Sequence, residues 1–333
     1  ALSRSKGPGV IEILSTGGLT TVQDAGRKGY RRFGVGIGGP LDGIAASIGN
    51  LMLGNAADAA FLEVVIFPLK LRFSRAARIA VTGSDAQLEV DGQRCPPWWS
   101  VPVQPGQVVM LRAPAGGVAY LCVSGGIDVP LVLGSRSTDL KAGFGGFHGR
   151  TLRKGDVLEV LPGIHTHDLR RFGVMPPCAG IPTPLEEGGD AGGVTTVRVL
   201  PAAQWDAFSE AVRNEFLAAS WQITPDSNRI GLRLSGPQIK PAQNMELLSH
   251  GIIPGVIQIP PHGQPIVMQC DAQTAGGYPK LATVIAADMW RLAQTPIGGR
   301  LRFQCVGMEE ALAANRQVRD YVARVQLAVE LLY

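Results

Sequence analysis

Short apolar runs separated by glycine and proline recur along this chain, and they constrain its fold more than any other feature. The 333 residues contain 43 glycines and 24 prolines. Between them lie runs such as FLEVVIF, LKLRF and VAYLCVS, each long enough for one strand. Many short strands joined by tight turns are typical of barrels and sandwiches rather than helical bundles. We therefore expect a mainly β protein with flanking helices.

Other segments have helical rather than strand periodicity. Apolar residues recur at helical spacing in LDGIAASIGNLML (41–53), where Asp42 stands near the start as a candidate cap. The segment AAQWDAFSEAVRNEFLAAS (202–220) is amphipathic, and residues 307–333 form a long C-terminal segment with an apolar side. We predict these segments to be the helices that flank the sheets.

The length of the chain suits two domains of ordinary size. Residues 164–194 are rich in proline, glycine and glutamate and lack sustained periodicity, so we predict a linker or insert there. The sequence then divides into a first domain at 10–163, a second at 195–306 and a C-terminal helix at 307–333. Both halves combine strand runs with a helix, which hints at a duplication.

The charge and cysteine patterns exclude several classes of function. The formal net charge is +4, and the basic residues are too scattered to form a stripe for nucleic acid. The five cysteines lie far apart without a C-x-x-C pair, as is typical of free thiols in a reducing compartment. No apolar run is long enough to span a bilayer. We expect a cytoplasmic protein whose partners include neither nucleic acid nor membrane.

Glycine and histidine motifs that could hold a cofactor fail their structural requirements. GVGIGG (34–39) matches a dinucleotide fingerprint, but it lacks the preceding strand, and Pro40 stands where a helix should open. AGFGGFHGR (142–150) lacks the Lys-Ser/Thr end of a P-loop. The histidines form no metal-ligand spacing. We expect no metal site and no clear ATP site within this chain.

The strongest candidate site is the polar loop DAQTAGGYPK (271–280), which lies between two apolar, strand-like runs. Rigid scaffolds commonly display their chemistry on such loops. Lysine is scarce in this chain relative to arginine, so an amine at the start of an apolar strand is notable. The candidate residues of this loop are Asp271, Gln273, Thr274, Gly276, Gly277, Tyr278 and Lys280.

Three further loops carry candidate binding residues. Arg136 and Asp139 stand beside a glycine-rich stretch, where Arg136 has the geometry to clamp a carboxylate or phosphate. A surface pair between arginine and aspartate is the alternative interpretation. Asn228 and Arg229 precede a strand, and a simple Asx turn also accounts for them. Amide side chains suit an amide or ureido ligand because they both donate and accept; the proline-rich segment that leads to the polar loop carries Gln258 and Gln264.

Long motifs in this chain resemble the Kip antagonist family of carboxyltransferase proteins, which are allophanate-hydrolase-subunit-2-like. The motifs are GVGIGGPLD, VSGGIDVPLVLGSRSTDLKAGFGG, SNRIGLRLSG, ELLSHGIIPGVIQIPPHGQPIV and DAQTAGGYPKLATVIAADMWRLAQ. They extend in order over nearly the whole chain. The resemblance implies tandem cyclophilin-like β-barrels and a hydrolase component of an ATP-dependent, heteromeric 5-oxoprolinase. Its implied partners are the Kip-inhibitor-like B subunit and the A subunit of that enzyme, with ATP used by the complex.

Under this hypothesis the polar loop performs the chemistry of lactam opening. Lys280 and the backbone amides of Gly276 and Gly277 are expected to stabilise an anion. Asp271 is expected to orient Lys280 or to manage a proton. Tyr278 would form a hydrogen-bonding wall, and Arg136 would clamp the substrate carboxylate.

The resemblance also implies two other functions. One is a carboxyltransferase half of a biotin-dependent urea or amide carboxylase, in which biotin would arrive on another protein because no biotinyl-carrier motif is present. The other is a non-catalytic antagonist that binds a kinase-inhibitor protein. One scaffold can serve all three, so the sequence leaves the choice open.

Overall fold

A computed structural model of the chain describes residues 10–84, 86–112, 117–163, 171–181, 193–243, 245 and 247–332. They divide into two compact units. The first is built from Ala1–Arg27, Gly38–Cys178 and Val322–Tyr333, and the second from Lys28–Ile37 and Ala179–Tyr321. Most of the expected linker at 164–194 lies outside the described residues, and the domain boundaries stay a prediction.

The first unit is made of two antiparallel sheets. Its strands are β1 (Ile11–Thr16), β2 (Thr20–Gln23), β3 (Phe61–Val64), β4 (Leu69–Phe73), β5 (Ala77–Gly83), β6 (Gln87–Val90), β7 (Gln93–Cys95), β8 (Trp99–Val103), β9 (Val108–Arg112), β10 (Ala119–Val123), β11 (Ile127–Asp128), β12 (Val157–Val160) and β13 (Phe172–Gly173). A seven-stranded sheet has the order β11-β12-β1-β4-β9-β6-β7, and a six-stranded sheet has the order β13-β8-β5-β10-β3-β2.

Alternating side chains build the core of this unit. In β4, Leu69, Leu71 and Phe73 are buried, whereas Lys70 and Arg72 are not, as expected for a strand with one face on the core. Strand β10 is buried along its whole length. Helix α1 (Gly43–Leu51) begins after Asp42, whose Oδ1 accepts the backbone N–H groups of residues 44 and 45 at 3.0 and 2.9 Å. The helix predicted at 41–53 is confirmed, with slightly narrower bounds.

The second unit contains a closed barrel with the strand order β14-β21-β18-β19-β16-β15-β22. Its strands are β14 (Val194–Pro201), β15 (Trp221–Ile223), β16 (Gly231–Ser235), β18 (Val256–Gln258), β19 (Ile266–Met268), β21 (Lys280–Val284) and β22 (Arg300–Cys305). Strands β17 (His250–Gly251) and β20 (Ala275–Gly276) pair in a separate two-stranded ladder. All barrel pairs are antiparallel except β14 with β22. The predicted mainly β fold is confirmed.

The remaining helices are α2 (Pro177–Gly180), α3 (Glu210–Ala218), α4 (Met289–Gln294) and α5 (Met308–Glu330). The long C-terminal helix is therefore confirmed. The helix predicted at 202–220 is shorter, because Ser209 has extended backbone angles and its hydroxyl accepts the N–H of Val212 at 3.4 Å, which starts α3 there. Phe216 of α3 stacks on Phe303 at a ring distance of 4.9 Å and anchors the helix to the barrel.

Candidate functional site

A cavity of about 480 Å³ lies in the second unit. Its strand residues come from β16, β18 and β19. Ile257, Val267 and Leu234 of these strands belong to the barrel core. Because side chains alternate along a strand, their neighbours Gln258, Ile266 and Arg233 face away from that core. The cavity therefore lies on the outer face of the barrel wall.

The cavity combines an apolar lining with several polar side chains. Its apolar lining residues are Ile230, Pro260, Pro261, Ile266 and Met268, together with the ring of Tyr278. Its polar lining residues are Asn228, Arg233, Gln258, His262 and Gln273. The described lining residues include neither aspartate nor glutamate. Apolar walls with a few placed polar groups are the usual composition of a small-molecule site.

Gln258 is the most deeply buried polar residue of this lining, at 1% exposure. It ends β18, where the register with β21 shifts by a bulge between Ile257 and Gln258. Among the described residues, its Nε2 has no hydrogen-bond partner. A buried donor without a hydrogen-bond partner destabilises the folded protein. A cavity that contains such a donor is therefore suited to a ligand that supplies an acceptor. Gly276 leaves room there, because a Cβ at that position would lie 3.3 Å from this Nε2 and 2.7 Å from Cδ1 of Ile252.

Lys280 begins β21 and is 5% exposed. Its Nζ donates to the carbonyl oxygen of Gly251 at 2.7 Å and lies 3.5 Å from that of His250. Both carbonyls belong to β17, so the ammonium ties the β17–β20 ladder to the barrel. Lys280 is not among the residues that line the cavity. Burial lowers the pKa of this ammonium below its ordinary value.

The lowered pKa of Lys280 makes a pH-dependent contribution to stability. Between this pKa and the ordinary value of about 10.4 the unfolded chain holds the extra proton, so stability rises with pH. The free energy of unfolding of the wild type, minus that of Lys280→Met, should therefore increase as pH rises through this window. Urea denaturation of both proteins at a series of alkaline pH values measures the difference. A difference independent of pH would contradict the assignment.

Asp271 is paired with Arg229 rather than with Lys280. The guanidinium donates from Nε to Oδ2 at 2.8 Å and from Nη2 to Oδ1 at 3.0 Å, and both side chains are largely buried. The backbone N–H of Asp271 also donates to the carbonyl oxygen of Arg229 at 2.9 Å. The expected orientation of Lys280 by Asp271 is thus replaced by a two-pronged ion pair. This pair holds the start of the loop that carries Gln273 and Tyr278.

Other predicted residues lie away from the cavity or have structural partners. Gln264 bonds through its amide to the backbone N–H and carbonyl of Gly236, at 2.9 and 3.2 Å. Thr274 accepts the N–H of Ile252 through its backbone carbonyl at 3.0 Å. A Cβ at Gly277 would lie 2.8 Å from the carbonyl oxygen of Leu247, so the glycine permits close backbone approach. Gly276 pairs with His250 in the β17–β20 ladder.

Arg136 and Asp139 belong to the first unit and bond within it. The Arg136 Nε donates to the carbonyl oxygen of Val129 at 3.0 Å, and its backbone N–H donates to Asp24. The Asp139 carboxylate accepts the N–H of Ala142 at 2.9 Å. The surface ion pair between an arginine and an aspartate that the sequence suggested for Arg136 is absent from these described contacts.

Two polar lining residues, Arg233 and His262, were not predicted from the sequence. In GLRLS (231–235), Arg233 alternates with leucines, a pattern typical of a solvated strand face. His262 stands in a proline-rich turn without a metal-like spacing. The signal for Arg233 was its place in a strand that directly follows the candidate residues Asn228 and Arg229. No metal-ligating group of three or more His, Cys, Asp or Glu side chains occurs among the described residues.

Asn228 behaves as the turn interpretation predicts while also lining the cavity. Its Oδ1 accepts the N–H of Ile230 at 2.8 Å, which leaves its amide nitrogen as a donor.

Within the described part of the chain, no helix combines the length and hydropathy needed to cross a membrane.

The closed barrel, with an amide-lined cavity on its outer face, defines the class of this protein as a β-barrel protein. The family model described as "Carboxyltransferase domain, subdomain A and B" matches residues 33–305. This chain belongs to that carboxyltransferase family.

Individual relatives cover nearly the whole chain. It is 40% identical over 314 residues to the C subunit of 5-oxoprolinase from Escherichia coli, covering 94% of this chain and 96% of the relative. It is 36% identical to the C subunit of 5-oxoprolinase from Haemophilus influenzae, covering 96% and 99%. The crystal structure of the K. lactis urea amidolyase matches with a TM-score of 0.82 and 28% identity, covering 96% of this chain but 20% of that one.

Proposed function

We propose that this chain is the C subunit of an ATP-dependent 5-oxoprolinase, which opens 5-oxo-L-proline to L-glutamate. The observation that carries the proposal is its end-to-end similarity to two relatives of that name, which it covers at 96% and 99% of their length. The cavity supports it, because a lined volume of about 480 Å³ has ample room for a five-membered lactam.

A lactam is a poor electrophile, and this determines what the site must do. ATP, bound by the complex, would activate the ring carbonyl by phosphorylating its oxygen. The phosphoryl group would pass from ATP to that oxygen as ADP leaves, and water would add to the ring carbon. The C–N bond would break as the nitrogen takes a proton, and a second water would release phosphate. Before this transfer the residues of this chain have to hold the amide plane and orient the carbonyl oxygen through a hydrogen-bond donor. The unpartnered Nε2 of Gln258 is the donor best placed for that task.

The other predicted residues fit supporting roles in this proposal. Tyr278 and Gln273 line the cavity directly. The Asp271–Arg229 pair fixes the loop from which they project. Lys280 positions the ladder that carries Gly276, next to Gln258. Undiminished turnover of a Lys280→Ala variant would exclude a catalytic or positioning role for this lysine.

The proposed partners are the Kip-inhibitor-like B subunit and the A subunit of the 5-oxoprolinase, with ATP bound at the level of the complex. The proposed compartment is the cytoplasm, since all five cysteines are free thiols, as is usual in a reducing environment.

A carboxyltransferase acting on urea is the second candidate, and the likeness to the K. lactis urea amidolyase favours it. The same amides would then hold a ureido group, and biotin would be delivered by another protein. Because this chain covers a fifth of that structure, the reaction of the whole amidolyase needs domains beyond it.

Reconstitution with the two candidate partner proteins tests the first proposal against the second. ATP hydrolysis that depends on added 5-oxoproline, with glutamate as product, is the expected result. Carboxybiotin-dependent transfer to urea without lactam turnover would replace the first proposal by the second. A complex that forms but shows neither reaction would overturn both.

A further inference from the structure

Arg233 lies in the cavity wall and has no charged partner there. It belongs to β16, and the described contacts include no ion pair for its guanidinium. It is the single arginine or lysine among the described lining residues, and none of them is acidic. An arginine whose positive charge is not offset nearby attracts an anion, and its planar fork matches a carboxylate.

Arg233 and Gln258 occupy equivalent positions on either side of one residue. Arg233 pairs with Ile266 across β16 and β19, and Gln258 pairs with the same Ile266 across β18 and β19. Residues directly opposite in a sheet project from the same face. Adjacent strands are about 4.8 Å apart, so the two backbone positions are separated by about 10 Å. The Arg233 and Gln258 side chains thus stand at two ends of an apolar floor formed by Ile266.

Two other polar groups of the cavity, those of His262 and Asn228, are left with donors that face no acceptor in their described hydrogen bonds. Nδ1 of His262 accepts the N–H of Gln264 at 3.2 Å, which leaves Nε2 as the ring nitrogen that can donate. The oxygen of Asn228 is occupied by backbone N–H groups, which leaves its NH2 group. Together with Gln258 and Arg233, these groups favour a ligand that is rich in acceptor oxygens.

We propose that this cavity binds its substrate as a carboxylate-bearing cyclic amide, with Arg233 pairing with the carboxylate and Gln258 donating to the amide carbonyl oxygen. The inference rests on the proposed function and deepens it by naming the residues that set specificity. It also replaces Arg136, which bonds within the first unit, as the carboxylate clamp.

This arrangement selects between the two candidate substrates. 5-Oxoproline carries both a ring carbonyl and a carboxylate, whereas urea carries a carbonyl alone. A neutral amide would occupy the Gln258 end and leave Arg233 without a partner. Loss of one hydrogen bond to a charged group weakens binding by about tenfold or more.

The test compares 5-oxoproline with pyrrolidin-2-one, the same ring without its carboxylate. In the reconstituted complex, Arg233→Gln should raise the KM for 5-oxoproline by about tenfold or more, with a much smaller change in kcat. Calorimetric titration of both lactams into the intact chain provides a readout independent of turnover. There, Arg233→Gln should weaken 5-oxoproline binding and leave pyrrolidin-2-one within about twofold. Arg302→Gln is the matched control, because Arg302 is exposed on β22 of the same barrel and does not line the cavity.

The possible outcomes distinguish a failure of the Arg233 proposal from a failure of the proposed 5-oxoprolinase function. An active wild-type complex with unchanged KM and Kd in Arg233→Gln would overturn the inference and leave the function intact. An inactive complex whose intact chain binds 5-oxoproline through Arg233 would overturn the function and sustain the inference. Equal losses for both lactams would also overturn it, because the arginine would then act on the fold rather than on the carboxylate.

Discussion

Asp288→Ala should lower the free energy of unfolding by about 3–5 kcal/mol, because it removes one partner of a buried ion pair. Arg198 donates to the Asp288 carboxylate from Nη2 at 2.7 Å and from Nε at 2.9 Å, and the Arg198 backbone N–H adds a third bond at 2.8 Å. The side chains are 4% and 1% exposed. Hydrogen bonding to Asp288 raises the pKa of Arg198. A guanidinium keeps its charge in proteins even without such a partner, so Asp288→Ala leaves a buried positive charge behind.

Urea unfolding followed by tryptophan fluorescence measures this loss, and two variants define its cause. Asp206→Ala breaks the Arg213–Asp206 pair, whose carboxylate side chain is 95% exposed, and should cost less than about 1 kcal/mol. The double variant Arg198→Met/Asp288→Leu should recover part of the stability, because it removes both charges of this pair, although Arg291 also loses its 3.6 Å ion pair with Asp288. Equal losses for Asp288→Ala and Asp206→Ala would show that burial does not determine the strength of these pairs.

Asp271→Ala should reduce the 5-oxoproline-dependent turnover of the reconstituted complex by about 100-fold. The reason is positional: without its carboxylate partner the buried Arg229 side chain must move, and the loop that carries Gln273 and Tyr278 moves with it. A displacement of about 1 Å in a positioned group is enough for a loss of that size. Steady-state kinetics measures the turnover, and hydrogen exchange over residues 270–280 reports the loop.

Asp226→Ala serves as the control for this variant. Asp226 is exposed in the turn that precedes Arg229, and the described residues give it no ion pair. Its removal should leave both turnover and hydrogen exchange unchanged. If Asp271→Ala lost turnover without faster exchange in the loop, Asp271 would have to act on the substrate directly, which contradicts a positioning role.

Much of the fold was predictable because it depends on local periodicity. Alternation in segments such as LKLRF determines which side chains enter the core, and the strands form as expected. The helix at Gly43–Leu51 follows from its spacing and from the cap at Asp42. The segment 202–220 was predicted too long, because an amphipathic pattern does not reveal that Ser209 interrupts it with a cap.

The candidate site was predicted only in part. The polar loop does contribute Gln273 and Tyr278 to the cavity, where Gln258 and Asn228 join them. The pairing of Asp271 with Arg229 connects residues 42 positions apart, and such contacts have no local signature. For the same reason the place of Arg233 in the cavity lining could not be predicted from an ordinary strand pattern.

The opening pattern of short apolar runs thus determines by itself that the chain builds mainly β structure, because period-two alternation specifies one face for burial. It does not determine what covers the opposite face. That was decided by tertiary structure, in which strand register aligns Arg233 and Gln258 on either side of Ile266. The hydrogen bond from Lys280 Nζ to the carbonyl oxygen of Gly251 then holds the β17–β20 ladder against the barrel. This position of the ladder places Gly276 next to Gln258. Strand register and long-range hydrogen bonds depend on residues far apart in the chain, so no local sequence pattern predicts them.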